Sequence, residues 1–203
     1  MKLEDIRIRE DLPEYLNKNG LLGIGVELGV EDGIFTAHIL KNWKGNRLYS
    51  IDSWRHFEHI QDCNNGDHNS QLNAFAQTFM RVYPYGTSSV IIRDLSTLVV
   101  DLFAENSLDF VYVDAGHDYD NIVRDLKVWY PKVRKGGLFC GHDYFNGILL
   151  IDYGNGVGDP SDIPEDKKVH VYVKQAVDEF IKDKNFFLHV STEKLAPSWF
   201  IQL

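Results

Sequence analysis

The chain has 203 residues, 44% of them hydrophobic and 25% charged, with a formal net charge of -9; that is the composition of a soluble globular domain with room for a sizeable core. The negative balance opposes a phosphate backbone, so nucleic acid is not an expected partner. Two cysteines, Cys63 and Cys140, make no disulfide framework, no apolar run reaches the ~18 residues of a membrane span, and the opening MKLEDIRIREDLPEYL lacks a secretory apolar core, so the expected setting is cytoplasmic with no membrane partner.

In chain order, residues 1–20 are amphipathic and lie outside the core pattern, as a lid or partner contact would. Residues 23–28 read as a short buried strand, which breaks into glycines before a helix at 33–42 (GIGVELGVEDG, then FTAHILKNW). Further strands fit 47–52, 89–93, 109–114 and 136–142, with helices near 69–82, 98–105 and 119–130 between them. A helix at 169–184 and two closing strand candidates, FFLHVS and SWFIQL, follow. This alternation predicts one α/β domain with a mostly parallel sheet covered on both faces. The non-periodic segments 53–68 and 144–168 follow strand ends and would hang over the ligand edge as lids.

The apolar runs end in acids: Glu27, Asp52 (RLYSID), Asp94 (SVIIRD), Asp114 (LDFVYVD) and Asp143 (GGLFCGHD). A G-x-G-x-x-G fingerprint is not cleanly present, since position 28 is Leu; the better reading is E-x-G-x-x-x-G at Glu27, Gly29 and Gly33. There the glycines admit close backbone approach, and Glu27 can accept from a cationic or hydroxyl group, which a pyrophosphate pocket rarely wants. Asp52 is placed to accept from ribose hydroxyls. Together they suggest a nucleoside ligand that carries an ammonium.

With VELGVEDGIFTAHIL, LYSIDSW and DFVYVDAGHDYDNIVRDLKVWYPKVRKGGLFCGHDY, the chain resembles the class I S-adenosylmethionine-dependent methyltransferases, and within them the small O-methyltransferases that act on sugar hydroxyls. The likeness runs from about residue 20 to the C-terminus. It implies a Rossmann-like three-layer sandwich with a seven-stranded, mostly parallel sheet of order 3-2-1-4-5-7-6, strand 7 antiparallel. It also implies that Glu27, Gly29 and Gly33 surround the methionyl part of the cofactor, that Asp52 takes the ribose, that Asp94 with Leu95 and Ser96 borders the adenine, and that a homodimer forms.

The chemistry falls on Asp114, His117, His142 and Asp143. Methyl transfer from a sulfonium to an alcohol needs the oxygen aligned opposite the sulfur and its proton removed. Histidine suits the second task near neutral pH, and a divalent ion on carboxylates can orient the hydroxyl and lower its pKa. The resemblance implies metal binding by Asp114 and Asp143, with magnesium the expected ion, a cofactor contact for Asp114, and His117 as general base with His142 its rival. His142 stands where many relatives have an acid. Trp54, Phe57, Tyr144, Phe145 and Tyr153 follow the strand ends closely enough to line an acceptor pocket, Trp54 and Tyr144 foremost. His59, Asp62, Cys63, Asp67 and His68 match no compact zinc spacing and read as a hydrophilic lid. Two other functions stay open: an NAD-dependent oxidoreductase or epimerase, disfavoured by Glu27 and by the lack of a Tyr-x-x-x-Lys pair, and a noncatalytic nucleoside-binding protein of the same fold.

Overall fold

The computed structural model describes residues 1–58, 62, 64–150 and 168–203. Its elements, in order, are α1 (Leu12–Lys18), β1 (Ile24–Leu28), α2 (Ile34–Asn42), β2 (Arg47–Asp52), α3 (His68–Val82), β3 (Ser89–Arg93), α4 (Ser96–Val99), β4 (Leu108–Val113), α5 (Tyr119–Trp129), β5 (Val133–Gly141), β6 (Gly147–Leu150), β7 (Lys168–Val171), α6 (Val173–Ile181), β8 (Leu188–Val190) and β9 (Trp199–Gln202). Seven strands form one sheet in the order β3-β2-β1-β4-β5-β9-β8. The first five are parallel, and β9 runs antiparallel to both β5 and β8. Counting β8 and β9 as the sixth and seventh strands of this sheet, the order is the expected 3-2-1-4-5-7-6.

Side chains alternate across the sheet and divide its core in two. Val111 and Val113 of β4, Phe139 of β5, and Trp199 and Ile201 of β9 pack with Ile122, Leu126 and Trp129 of α5 and Val173 and Val177 of α6. Phe110, Tyr112, Leu138, Cys140 and Phe200 face the opposite way, onto Phe35 and Ile39 of α2, Leu12 and Leu16 of α1, and Leu3 and Ile6 ahead of it. The N-terminal segment is therefore part of the core, not outside it as its pattern suggested. Two 3₁₀ turns, Leu3–Asp5 and Arg9–Asp11, interrupt its periodicity before α1 begins, so no single repeat reveals the buried side.

Three element bounds differ from expectation. The helix placed at 98–105 begins at Ser96 and tightens into a 3₁₀ turn over Val100–Leu102. Strand β5 starts at Val133, where its register with β4 shifts between Leu108 and Phe110. Residues 169–171, expected as the start of a helix, belong instead to the strand Lys168–Val171, paired antiparallel with β6, and the chain turns into α6 at Tyr172. The segment 144–168 thus includes part of a two-stranded ribbon, while residues 151–167 lie outside the described ones. Among the described residues no helix is long and apolar enough to cross a membrane.

Candidate active site

Parallel strands deliver their C-terminal ends to one edge of the sheet, where a cavity of about 740 Å³ opens, a size that accommodates a drug-sized ligand. Glu27, near the end of β1, lines it at only 2% exposure, and its Oε2 accepts from Thr36 Oγ1 at 2.5 Å. Burial, aided by the nearby Asp114, pushes its carboxyl up to about 8 against the opposing pull of Thr36 and Arg9. The next turn passes so close to the end of β4 that a Cβ on Gly29 would lie 1.8 Å from the Asp114 carbonyl oxygen; Gly29 also has φ +78. Gly33 has another task. It does not line the cavity; a Cβ there would lie 3.0 Å from Thr78, so this glycine sets the approach of α2 to α3.

Asp52 lines the cavity and also holds its wall together. Its Oδ2 accepts from the backbone N–H of Val30 at 2.8 Å and of Glu31 at 3.0 Å, and its Oδ1 from that of Trp54 at 2.8 Å. A ligand hydroxyl would share this carboxylate with the turn it ties down. On the β3 side the wall is Asp94, Leu95, Ser96 and Thr97, and Ser96 donates to Asp125 Oδ1 at 2.5 Å. Burial raises the Asp125 carboxyl to about 6. Glu27, Glu31, Asp32, Asp52, Asp94, Asp114 and Asp125 face the cavity against the cations Arg9, Arg55 and Arg124. This electrostatic balance favours a cationic ligand over a pyrophosphate.

Beside the cavity, β4 and β5 bring two carboxylates and two imidazoles together. His117 sits in the turn after β4, just before Asp118, which caps α5, and its carbonyl accepts from Tyr172 N at 3.1 Å. Its Nδ1 donates to Asp62 Oδ2 at 2.7 Å and its Nε2 to Asp143 Oδ2 at 2.8 Å. His142 Nδ1 lies 3.6 Å from Asp114 Oδ1 and 3.5 Å from Asp143 Oδ1. Burial alone would lower both imidazoles, yet the carboxylates outweigh it, holding His117 well above its ordinary value and His142 at about 9. Burial would raise Asp143, but the two imidazoles hold it well below the usual carboxylate range. Asp143 also takes a left-handed backbone, φ +56, at the end of β5.

The sequence suggests a histidine free to accept a proton near neutrality; here the carboxylates on both ring nitrogens favour the protonated form of His117. The arrangement also fits a divalent cation. Ligand atoms of Asp114, His117 and Asp143 all lie within 4.8 Å of one another, and two carboxylates with an imidazole form a donor set that suits manganese or zinc at least as well as magnesium.

Two expected acceptor contacts are instead structural. Trp54 is fully buried, donates from Nε1 to the Glu31 carbonyl at 2.7 Å and packs against Phe75, so it anchors the loop after β2 and does not line the cavity. Tyr144 also lies off the cavity, its hydroxyl donating to Asp178 and its ring under Lys174. Phe57 does line the cavity, as do Asp62, Asn64, Asn65 and Gly66 of the same loop. His59, Cys63 and Tyr153 lie outside the described residues. Asp67 caps α3 by accepting from Ser70 N at 2.8 Å. Asp62 sits in a polar stretch and Arg9 in a segment of mixed charge, so only the fold brings either to the site.

A methyltransferase-domain family matches residues 26–144, which run from β1 past the end of β5. An uncharacterized protein of Acanthamoeba polyphaga mimivirus is 26% identical over 137 residues, 68% of this chain and 58% of that protein. The chain thus spans little more than half the length of this relative. A proposed caffeoyl-CoA O-methyltransferase of Staphylococcus aureus superposes with a TM-score of 0.64 at 13% identity, covering 98% of this chain and 87% of that one. The 1,6-didemethyltoxoflavin-N1-methyltransferase of Burkholderia thailandensis, with its acceptor and S-adenosylhomocysteine bound, gives a TM-score of 0.59 at 11% identity over 95% of this chain and 75% of that one. At such identities the structures speak for the fold, while the family match covers more than half of the sequence. The chain belongs to that methyltransferase family, and its residues 26–144 form a domain of the S-adenosylmethionine-dependent class.

Proposed function

We propose that the protein transfers the methyl group of S-adenosylmethionine to a hydroxyl oxygen of a small molecule, with a sugar as the acceptor class and a homodimer as the working form. One observation carries the reading: Asp62 and Asp114 line the cavity that holds Glu27, and the same two carboxylates touch His117 and His142. The methyl donor's pocket and a proton-handling cluster therefore share a wall. Glu27 and Asp114 would receive the cofactor's ammonium, Asp52 its ribose, and the Asp94–Ser96 segment its adenine. NAD fits less well, because the acids line the wall that its pyrophosphate would meet.

His117 is the proposed base. For that role one of its ring nitrogens must first lose its proton as well as its carboxylate: Asp62, on the loop bordering the cavity, is the partner at Nδ1 that would carry that proton away to solvent, leaving a lone pair for an entering hydroxyl. Asp114 and Asp143, with His117 or His142, would hold a divalent ion, magnesium or one more tolerant of nitrogen ligands; when bound, it supplies positive charge that acidifies the acceptor hydroxyl and opposes protonation of the imidazoles.

The test is transfer of a labelled methyl group from S-adenosylmethionine to a panel of sugar, phenol and catechol hydroxyls, with binding of S-adenosylhomocysteine and NAD measured alongside. We expect His117→Ala to depress turnover by roughly 10²–10⁴-fold with homocysteine-product affinity nearly unchanged, and His142→Ala to lose less. Near-normal turnover in the His117 variant would remove the base assignment. Tight NAD binding without any for S-adenosylhomocysteine would remove the cofactor assignment.

A further inference from the structure

Arg9 stands apart from the features already used. It precedes α1, in the 3₁₀ turn Arg9–Asp11, yet it lines the cavity beside Glu27, Gly29, Phe35 and Asp114. Its guanidinium carbon lies 4.9 Å from the Phe35 ring centroid, and its Nη1 is 3.7 Å from Asp114 Oδ2, too far for a hydrogen bond. Among the described residues its side chain donates one hydrogen bond, from Nε to Glu10 at 3.5 Å. Nη1 is thus in ion-pair range of Asp114, and among the described residues neither terminal nitrogen donates a hydrogen bond.

Its surroundings indicate what that is. The turn before α1 is pinned: Asp11 Oδ2 accepts from Arg7 N at 2.8 Å and Ile8 N at 3.1 Å, and His38 Nε2 donates to the Glu10 carbonyl at 2.9 Å. The guanidinium is thus presented from a fixed base to the part of the wall that carries Glu27 and Asp114. Glu27 and Asp114 suit the ammonium of an amino acid, but the carboxylate on the same carbon atom would be repelled by both. Arg55 and Arg124, which also line the cavity, come from the loop after β2 and from α5, whereas Arg9 is the cation in ion-pair range of Asp114. A guanidinium facing a cavity is the group that pairs with a carboxylate through two parallel hydrogen bonds.

We propose that Arg9 binds the carboxylate of the cofactor's amino-acid end, so that the N-terminal turn forms one side of the cofactor site and sorts α-amino-acid nucleosides from nucleosides without that group. This rests on the S-adenosylmethionine reading above. Carboxylate and ammonium would then be held by opposite charges a few ångströms apart, which fixes the orientation of the sulfonium between them.

The experiment is calorimetric titration of the wild type, Arg9→Met and Arg9→Lys with three probes: S-adenosylhomocysteine, its α-carboxamide, which keeps the ammonium but loses the negative charge, and 5′-methylthioadenosine, which lacks the amino-acid end. We expect Arg9→Met to weaken S-adenosylhomocysteine by roughly 10–100-fold, with Arg9→Lys between it and the wild type, while the carboxamide and 5′-methylthioadenosine bind all three proteins alike. A parallel loss for all three probes would mean that Arg9 only supports the wall and would overturn the proposal, as would an unchanged affinity for S-adenosylhomocysteine. If the wild type bound none of the probes, the cofactor reading itself would fall, a result distinct from either.

Discussion

Glu27 shows how much a single buried group controls. An acid at 2% exposure with a carboxyl raised to about 8 is mostly neutral at pH 7 in the empty cavity. A ligand ammonium is bound best by the ionised form, so binding draws a proton off Glu27, and the free energy of that release comes out of the affinity. Because the empty protein's carboxyl titrates near pH 8, affinity for S-adenosylhomocysteine should rise from pH 6 towards pH 8, by at most about tenfold per unit, and stop rising above that value. Glu27→Gln should flatten the profile. Calorimetry at several pH values in buffers of different ionisation enthalpy reads the proton release directly, and a flat wild-type profile would discard the assignment. Glu27 was legible in the sequence because an acid that closes an apolar run is conspicuous. Asp62 was not, since 55 positions separate it from His117 and its own neighbourhood is polar throughout. Arg9 was hidden for a similar reason: one cation among alternating charges carries no signal until the fold gives it a neighbour.

At the scale of elements, β1 to β5 were legible because each is a short apolar run bounded by turn residues, and α5 because Ile122, Leu126 and Trp129 recur at helical spacing, all three buried. Residues 169–171 of β7 run into VKQAVDEFI with no Gly or Pro between them, so the sequence alone does not separate them from α6; their strand character comes from pairing with β6, a tertiary contact. Helix α3 is different again: Thr78 and Val82 are buried, whereas Leu72, Phe79 and Met80, with Tyr83 just beyond its end, are exposed. Among the described residues the edge strand β3 pairs with β2 alone. In the proposed homodimer, α3 and β3 would offer the surface that a second copy covers. Light scattering should give the mass of two chains, and Met80→Glu combined with Phe79→Glu should shift it to one chain without loss of helix by circular dichroism. A wild-type monomer at high concentration would remove the dimer.

Across the whole molecule, the net charge of -9 is concentrated in part at the open end of the sheet, where Asp62, Asp114 and Asp143 lie in or beside the cavity with the imidazoles of His117 and His142 among them. The carboxylates brought together by the fold favour protonation of both imidazoles. A divalent ion can take the place of those protons, and because it binds a site that the unfolded chain does not possess, its binding adds to folding stability. At a hundred times its dissociation constant the ion would contribute about 2.7 kcal/mol, equivalent to a rise of roughly 5–10 °C in the unfolding midpoint of a domain this size. Manganese should raise the midpoint more than magnesium, since imidazole nitrogen competes well for the former and poorly for the latter. The rise should grow with pH, because His117 and His142 must lose protons before either can coordinate. Asp143→Asn should abolish it, while leaving intact the stabilisation that S-adenosylhomocysteine gives through Glu27 and Arg9. Thermal unfolding after chelation and stepwise add-back measures all three effects, and a midpoint indifferent to every divalent ion would remove the metal and leave His117 to work with the carboxylates alone.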